Sequence, residues 1–94
     1  MTYVHITESP GVGLAQYRTV HEALGPEPVA GNLWHFVGEC DGALTVVDIW
    51  ESADAADRFA AERLFPALDR VGIRPGPDAR VRAFEAAVET VAQG

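Results

Sequence analysis

The amino-acid sequence predicts one α+β domain over residues 1–94, with the element order strand, helix, strand, strand, helix, strand. Segments in which side chains alternate along a strand are separated by two segments with the spacing of amphipathic helices. An Asp41-Gly42 step joins the second and third strands and is typical of a two-residue hairpin. This order predicts a βαββαβ unit, in which a four-stranded antiparallel sheet carries two helices on one face.

The first strand is expected over residues 2–8, because its side chains alternate between two faces. One face carries Val4 and Ile6, and the other carries Tyr3, His5 and Thr7. A Ser-Pro-Gly segment at 9–11 then ends the strand.

The first helix is expected over residues 13–24, where apolar side chains recur at helical spacing. The recurring positions are Leu14, Tyr17, Val20 or His21, and Leu24. A Gly-Pro-Glu-Pro segment at 25–28 stops this helix.

The second and third strands form the predicted hairpin, since residues 32–40 and 43–50 are both rich in β-branched and aromatic residues. A two-residue loop fixes which residues face each other across the two strands. The predicted pairs are Cys40 with Ala43, Val37 with Val46, His35 with Asp48, and Leu33 with Trp50.

The second helix is expected to begin after Ser52, whose hydroxyl can cap the first turn. Asp54 and Asp57 follow, where negative charge suits the helix dipole. Pro66 is acceptable if a second helical segment starts there, because the first-turn N–H is unpaired anyway. Gly72 is placed to end the helix. The apolar positions in between are Ala56, Phe59, Ala60, Leu64, Leu68 and Val71.

The last segment, residues 79–91, fits two structures equally well. Its apolar positions match a helix, whereas two alternating stretches joined by a bulge near Ala83-Phe84 match a strand. In a three-stranded sheet the first strand would be an edge with unpaired backbone groups, and a fourth strand beside it would pair those groups. We therefore expect a strand. The helical reading rests on Val81, Phe84, Val88 and Val91.

The two faces of the sheet are expected to differ in what covers them. The face expected beneath the helices is uniformly apolar, with Val4, Ile6, Trp34, Phe36, Val47 and Ile49. The opposite face carries Tyr3, His5, Thr7, Leu33, His35, Val37, Leu44, Val46, Asp48 and Trp50. This second face would be a large exposed apolar patch in a monomer. We expect a second copy of the chain to cover it and to enclose a small-molecule cavity.

The candidate catalytic residues are His35 and Asp48, which the hairpin register places opposite each other. Cross-strand neighbours are about 4.5–5.5 Å apart at Cβ, close enough for the carboxylate to accept a hydrogen bond from the imidazole. That bond would raise the basicity of the ring and leave its other nitrogen to remove a proton from a phenol or an enolisable ketone. The alternative is a structural pair whose two members only satisfy each other.

The candidate substrate-binding residues are Tyr3, His5, Leu33, Val37, Val46, Trp50 and Arg82. Trp50 is suited to stack on a flat aromatic ligand, or else to fill an interface. Arg82 would neutralise an enolate or carboxylate, unless it lies on a solvated strand edge. No metal site is expected, since no spacing motif supports a set of His5, His35 and Asp48.

The charge and cysteine content exclude several classes of protein. The formal net charge is −7, which disfavours binding to nucleic acid or to anionic membranes. The single cysteine, Cys40, excludes a disulfide framework within the chain. No signal peptide or membrane-spanning segment is visible, so a cytoplasmic protein is expected.

Several segments resemble the dimeric α/β-barrel superfamily. They are Leu33-Trp34-His35-Phe36-Val37-Gly38, the Asp41-Gly42 turn, Val46-Val47-Asp48-Ile49-Trp50-Glu51-Ser52, and the helix with Phe59 and Arg63-Leu64. Within this superfamily the chain is most similar to small actinobacterial proteins near the antibiotic-biosynthesis monooxygenase group. The resemblance implies a ferredoxin-like protomer whose sheet pairs with a second protomer to form a barrel. The characterised monooxygenases of this group oxidise anthrone-type polyketides without metal or flavin, and the superfamily also includes haem-degrading enzymes, isomerases and cyclases.

The chain departs from the catalytic patterns of that superfamily. Its monooxygenases use an Asn and a Trp on one segment, but Asn32 and Trp34 are too close together and are expected to point away from His35. The haem-degrading members use a helical His ligand, and here His21 lies on the first helix instead of the second. Neither catalytic set is therefore carried over.

Two functions follow from these observations. The first is a homodimeric, cofactor-free enzyme that acts on an aromatic or polyketide-like molecule, as a monooxygenase or as a cyclase or isomerase, with His35 and Asp48 as its general base. The second is a non-catalytic dimeric module that binds a ligand or stabilises a partner enzyme.

Overall fold

The structure is a computed structural model that describes residues 1–74 and 76–90. Its elements follow the predicted order. They are β1 (Tyr3–Pro10), α1 (Leu14–Leu24), β2 (Asn32–Cys40), β3 (Ala43–Trp50), α2 (Ala53–Phe59), a π-helical turn (Ala60–Leu64), α3 (Phe65–Val71) and β4 (Arg80–Glu85). The fold is therefore the predicted α+β arrangement of type βαββαβ.

The four strands form one antiparallel sheet in the order β2-β3-β1-β4. The last segment is a strand, as expected, but it is shorter than the predicted span of residues 79–91. Residues 86–90 lie outside β4, and Val91 lies outside the described residues. The predicted bulge near Ala83-Phe84 is absent, because β4 pairs with β1 without interruption from Tyr3↔Glu85 to Glu8↔Arg80.

The hairpin between β2 and β3 has the predicted turn and most of the predicted register. Asp41 and Gly42 have φ angles of 51° and 77°, so both adopt the positive values of a type I′ turn. The predicted pairs Cys40↔Ala43, Val37↔Val46 and His35↔Asp48 are all present.

The predicted pair of Leu33 with Trp50 is wrong. A β-bulge lies between Asn32 and Trp34, so that Asn32 is the partner of Trp50 and Leu33 is the additional residue of the bulge. One extra residue in a strand changes the alternation of side chains beyond it.

The second helical region runs from α2 through the π-helical turn into α3. Ser52 caps α2, because its hydroxyl accepts a hydrogen bond from the Ala55 N–H at 3.2 Å. Pro66 lacks an N–H and crowds the carbonyl four residues earlier, and the wider π turn before it relieves that crowding. Gly72 ends α3 in the left-handed conformation, with φ of 70°. None of the helices in the described ranges is long and apolar enough to cross a membrane.

The helices cover the face of the sheet that carries His35, Asp48 and Trp50, so the predicted assignment of the two faces is wrong. Trp50 is only 3% exposed, and its ring centroid lies 5.4 Å from that of Phe59 in α2. Trp34 and Phe36 on the opposite face are 63% and 54% exposed. Both faces are largely apolar, and hydrophobicity alone therefore does not reveal which one the helices cover. We call the uncovered side the open face; it carries Val4, Ile6, Trp34, Phe36, Val47, Ile49 and Phe84.

Two arginines fasten the end of α1 to the second helical region. The Arg63 guanidinium donates to the carbonyl oxygens of Leu24, Glu27 and Pro28 at 3.0–3.1 Å. Arg70 donates to the carbonyl oxygen of Ala23 at 2.8 Å. The bonds to Ala23 and Leu24 satisfy carbonyls that the end of a helix leaves unpaired, and the bonds to Glu27 and Pro28 hold the loop that follows α1.

Candidate active site

The centre of the site is the predicted pair of His35 and Asp48. The two residues are cross-strand partners on β2 and β3. His35 Nδ1 lies 2.6 Å from Asp48 Oδ1, the distance of a strong charge-assisted hydrogen bond. The side chains of His35 and Asp48 are 40% and 16% exposed, so the carboxylate lies deeper than the ring that it orients.

Asn32 is a second neighbour of the Asp48 carboxylate. Its side-chain Nδ2 donates to Asp48 Oδ1 at 3.3 Å and to the carbonyl oxygen of Trp34 at 3.4 Å. The expectation that Asn32 points away from His35 is therefore wrong. The bulge at Leu33 is the reason, because it brings Asn32 to the face that carries Asp48.

Tyr17, on α1, is hydrogen-bonded to the other nitrogen of the His35 ring. The Tyr17 hydroxyl lies 2.7 Å from His35 Nε2, and the two rings stack with centroids 5.9 Å apart at 28°. Because Asp48 holds Nδ1, both ring nitrogens of His35 have a hydrogen-bond partner. The sequence-based expectation of a free nitrogen is therefore not met.

Sequence reasoning placed Tyr17 among the apolar positions of the first helix and assigned it no role at the site. The helical spacing correctly put Tyr17 on the inner side of α1. The contact of Tyr17 with His35 also depends on α1 crossing the sheet above His35, which is a matter of tertiary packing. A signal is present only in the residue type, since a buried Tyr hydroxyl usually finds a hydrogen-bond partner.

His21 lies on the other side of the Tyr17 hydroxyl, one helical turn further along α1. Its Nδ1 is 3.5 Å from the Tyr17 oxygen, at the long limit of hydrogen bonding. The two rings stack with centroids 5.8 Å apart at 27°. Tyr17 is therefore held between two imidazoles, and the one on the sheet is much closer to its oxygen.

The surroundings shift the pKa values of two of these groups. The hydrogen bond that His35 donates to Asp48 raises the pKa of His35 above its ordinary value, burial opposes this, and the negative charge of Asp48 raises the pKa further. Burial raises the pKa of Tyr17, and the negative charge of Asp48 raises it further. His35 is thus a stronger base than a free imidazole, and Tyr17 is a neutral phenol at neutral pH.

The other predicted site residues divide between the two faces. Tyr3 and His5 are the β1 partners of Trp50 and Asp48, which places both on the His35 face. Val37 and Val46 pair on the same face and are half-buried. Trp50 packs into the core against Phe59.

Two of the predicted substrate-binding residues do not lie beside His35. Arg82 pairs with Ile6 and therefore lies on the open face, because neighbouring residues of a strand point to opposite sides. Arg82 is therefore not placed to neutralise an anion formed beside His35, and it lies exposed on the edge strand β4, which is the alternative expected for it from the sequence. Leu33 is the unpaired residue of the bulge and is 47% exposed.

Two open depressions lie away from the His35 face. One, of about 310 Å³, is lined by Phe36, Val37, Gly38, Glu39, Cys40, Thr45 and Val47. The other, of about 660 Å³, lies at the hairpin end of the sheet between Glu8, Cys40 and Arg80. Neither has His35 or Tyr17 in its lining.

Comparison with solved structures shows which proteins share this backbone. Rv0793 of Mycobacterium tuberculosis has a TM-score of 0.74 at 14% identity, and the match covers 97% of this chain and 100% of that one. The cofactor-independent oxygenase SnoaB of Streptomyces nogalater has a TM-score of 0.68 at 15% identity, with 98% of each chain covered. The ActVA-Orf6 monooxygenase of Streptomyces coelicolor, solved with nanaomycin D, has a TM-score of 0.65 at 20% identity, with 97% and 92% covered.

The chain has the ferredoxin-like fold of the antibiotic biosynthesis monooxygenases. No protein-family model matches the chain, and no curated protein matches its sequence. Because the sequence identities are only 14–20%, the similarity to these structures is one of backbone fold. The roles of His35, Asp48 and Tyr17 therefore rest on their own geometry.

One solved structure with this fold, a mutant of MhuD, holds two manganese protoporphyrin IX molecules per active site. Among residues 1–74 and 76–90, no group of three or more His, Cys, Asp or Glu side chains is arranged to hold a metal ion. The set of His5, His35 and Asp48 is thus not assembled as a metal centre, although the three residues share one row of the sheet.

Proposed function

We propose that the chain is a cofactor-free enzyme that removes a proton from an aromatic or polyketide-like small molecule, as a monooxygenase or as a cyclase or isomerase. The observation that carries the proposal is the 2.6 Å bond between His35 Nδ1 and Asp48 Oδ1. This pairing stabilises the imidazolium that forms when His35 accepts a proton. The oxygenase part rests on fold-level analogy with SnoaB and ActVA-Orf6.

The chemistry follows from what proton removal does to such a substrate. Loss of a proton from the ring methylene of an anthrone gives an electron-rich enolate, which reacts with dioxygen itself. Conversion of that methylene to a carbonyl is a four-electron oxidation that consumes one dioxygen. One of its oxygen atoms becomes the carbonyl oxygen, and the other is released as water. The substrate provides all the electrons, so no flavin or metal is required. On a substrate that carries an internal electrophile or a conjugated double bond, the corresponding anion would instead cyclise or isomerise.

The proposal includes a homodimer that forms through the open face. Trp34 and Phe36 stack there in parallel, with centroids 6.1 Å apart at 3°, and both are more than half exposed. Phe84 on β4 is also exposed on this face. A second copy related by a twofold axis would cover this apolar surface with the same surface. A cytoplasmic setting agrees with the exposed free thiol of Cys40.

The test uses 1,8-dihydroxyanthrone as the probe substrate, with uptake of dioxygen and formation of the quinone as the two readouts. We expect the wild-type chain to accelerate both over buffer, and His35→Ala to abolish the acceleration while the dimer stays intact. If the wild type has no effect on the probe, the oxygenase proposal is overturned. If His35→Ala unfolds the chain or dissociates the dimer, the His35–Asp48 pair is structural.

The second candidate function is a non-catalytic module that binds an aromatic ligand or stabilises a partner enzyme. The observation in its favour is that both nitrogens of His35 already have partners within the chain. On this view, His35→Ala lowers the melting temperature and leaves ligand binding unchanged. An enzyme would show the opposite pattern, with activity lost and stability nearly kept.

A further inference from the structure

We propose that the Tyr17 hydroxyl is the group that takes the proton from the substrate, and that His35 acts behind it as the base. This role rests on the proposed acid–base function. It changes the identity of the residue in contact with the substrate, from an imidazole on the sheet to a phenol on α1. The reacting centre then lies between α1 and the edge strand β2.

Both nitrogens of the His35 ring are already hydrogen-bonded within the chain. His35 Nδ1 is occupied by Asp48 at 2.6 Å, and Nε2 is occupied by the Tyr17 hydroxyl at 2.7 Å. A substrate proton has no direct path to either nitrogen while these bonds are in place. It can reach the ring only through the Tyr17 oxygen, which keeps a lone pair available while its own proton points at Nε2.

The proton transfer balances within the three residues. The substrate proton passes to the Tyr17 oxygen as the phenolic proton of Tyr17 passes to His35 Nε2. Tyr17 is neutral before and after the step, His35 becomes an imidazolium whose Nδ1–H is bonded to Asp48, and the substrate becomes an anion. One neutral base and one neutral substrate therefore give one cation and one anion.

The electrostatic surroundings fit this transfer. A raised pKa keeps Tyr17 protonated at neutral pH, as a relay requires, since a standing phenolate would have no proton to pass on. A raised pKa makes His35 a better acceptor of that proton. The Asp48 carboxylate contributes to both raised pKa values. It is the main cause for His35, whereas burial is the larger cause for Tyr17.

The position of Tyr17 is fixed from two directions. Its ring is stacked between those of His35 and His21. The helix that carries it is held by Arg63 and Arg70 through the carbonyls at its C-terminal end. An oriented hydroxyl is what a proton relay needs, because proton transfer requires hydrogen-bond distances of about 2.6–3.2 Å.

The test measures proton removal separately from oxidation. Exchange of the ring methylene of 1,8-dihydroxyanthrone is followed by NMR in deuterium oxide without dioxygen, for wild type, Tyr17→Phe, His35→Gln and Thr19→Val. Thr19→Val is the matched control, since it removes a hydroxyl from α1 that bonds only to the carbonyl oxygen of Ala15 at 3.2 Å. We expect Tyr17→Phe and His35→Gln each to slow exchange by roughly 100-fold or more. Thr19→Val should exchange at the wild-type rate.

The outcomes separate this role from the proposed function. If His35→Gln is slow and Tyr17→Phe keeps or exceeds the wild-type rate, His35 is the direct base, and the role of Tyr17 is overturned while the enzyme proposal stands. If the wild type does not accelerate exchange, both fall together.

A second variant tests the relay even if Tyr17→Phe does not fold. In a Tyr3→Phe background Tyr17 is the only tyrosine, so 3-fluorotyrosine can be placed there alone. Compared with the same Tyr3→Phe variant carrying ordinary tyrosine, the more acidic phenol should move the loss of exchange activity to lower pH, because Tyr17 then ionises at lower pH. An unchanged profile would refute the relay.

Discussion

Asn32 and Trp34 lie two positions apart on β2, yet their side chains lie on opposite faces of the sheet. Asn32 donates to the Asp48 carboxylate on the helix-covered side, whereas Trp34 stacks on Phe36 on the open face. Residues at positions i and i+2 of a regular strand share one face, and the bulge at Leu33 reverses this. The bulge thereby gives the Asp48 carboxylate a second hydrogen-bond donor.

The charge beside His35 sets the pKa of its ring, and this can be measured without a substrate. We expect Asp48→Asn to lower the pKa of His35, because the variant removes the carboxylate and leaves the opposing effect of burial. Asn32→Asp should raise it, since a second carboxylate favours the imidazolium. The measurement is an NMR titration of the ring protons of the three histidines. Identical titration curves for wild type and Asp48→Asn would contradict the assignment.

The same shift makes stability depend on pH. The pKa of His35 is raised in the folded state relative to about 6.5 in the unfolded chain. Its contribution to the free energy of unfolding is therefore fully present below about pH 6.5 and is lost as the pH rises through the folded-state pKa. Urea unfolding over a pH series should show this decline in the wild type and a smaller one in Asp48→Asn. Parallel curves would show that the pair does not contribute.

The Tyr17 phenol should ionise at higher pH than a free tyrosine. In the Tyr3→Phe variant, the phenolate absorbance near 295 nm reports Tyr17 alone, and we expect its midpoint above the ordinary value of about 10. Adding Asp48→Asn should lower the midpoint only in part, because burial is the larger cause. A midpoint at or below the ordinary value would contradict the buried, charge-flanked environment.

The open face should hold two copies together. We expect Trp34→Glu to convert the dimer to a monomer in sedimentation velocity, because it places two negative charges in an apolar contact. Phe65→Glu is the matched control, since Phe65 is a similarly exposed aromatic, at 59%, but lies on α3. It should stay dimeric. Dissociation by Phe65→Glu with no effect of Trp34→Glu would place the interface on the helices instead.

Gly31 is required at the entrance to β2. Its φ is 82°, and a Cβ at this position would lie 2.6 Å from the Cβ of Ala55. We expect Gly31→Ala to cost about 2–4 kcal/mol of unfolding free energy, from the unfavourable backbone angle and from overpacking. Gly76→Ala should stay within about 0.5 kcal/mol of the wild type, because no atom of the described residues, apart from those of its chain neighbours, lies within 4 Å of the added Cβ. Urea denaturation measures both.

The sequence was sufficient to predict the hairpin and the His35–Asp48 pair. Asp41-Gly42 specifies a two-residue turn, and a turn of known length determines the pairing for as long as the strands stay regular. The prediction therefore holds from Cys40 back to His35 and ends at Leu33, where the strand gains a residue. A bulge has no signature in a segment of alternating apolar residues.

The sequence could not predict which face the helices cover or that Tyr17 contacts His35, and the reason is different. Both depend on how the layers pack, and hydrophobicity does not distinguish a face covered by helices from an apolar face left open. Trp34 and Phe36 look like core residues and are exposed, whereas the polar His35–Asp48 pair lies under α1. Tyr17 meets His35 across 18 positions of sequence, a contact that no local pattern encodes.

The π-helical turn at Ala60–Leu64 sets the rotational phase between the two ends of the helix layer. Its i→i+5 hydrogen bonds hold one more residue per turn than the i→i+4 bonds of an α-helix. Deletion of one residue here should therefore leave a regular α-helix whose two ends keep their relative orientation. Deletion of a second residue would have no such compensation and would rotate everything after it by about 100°. Ala67, which is 0% exposed, would then turn toward water, and Arg70 would leave the carbonyl of Ala23, so that α1 loosens and the phenol no longer aligns with the imidazole.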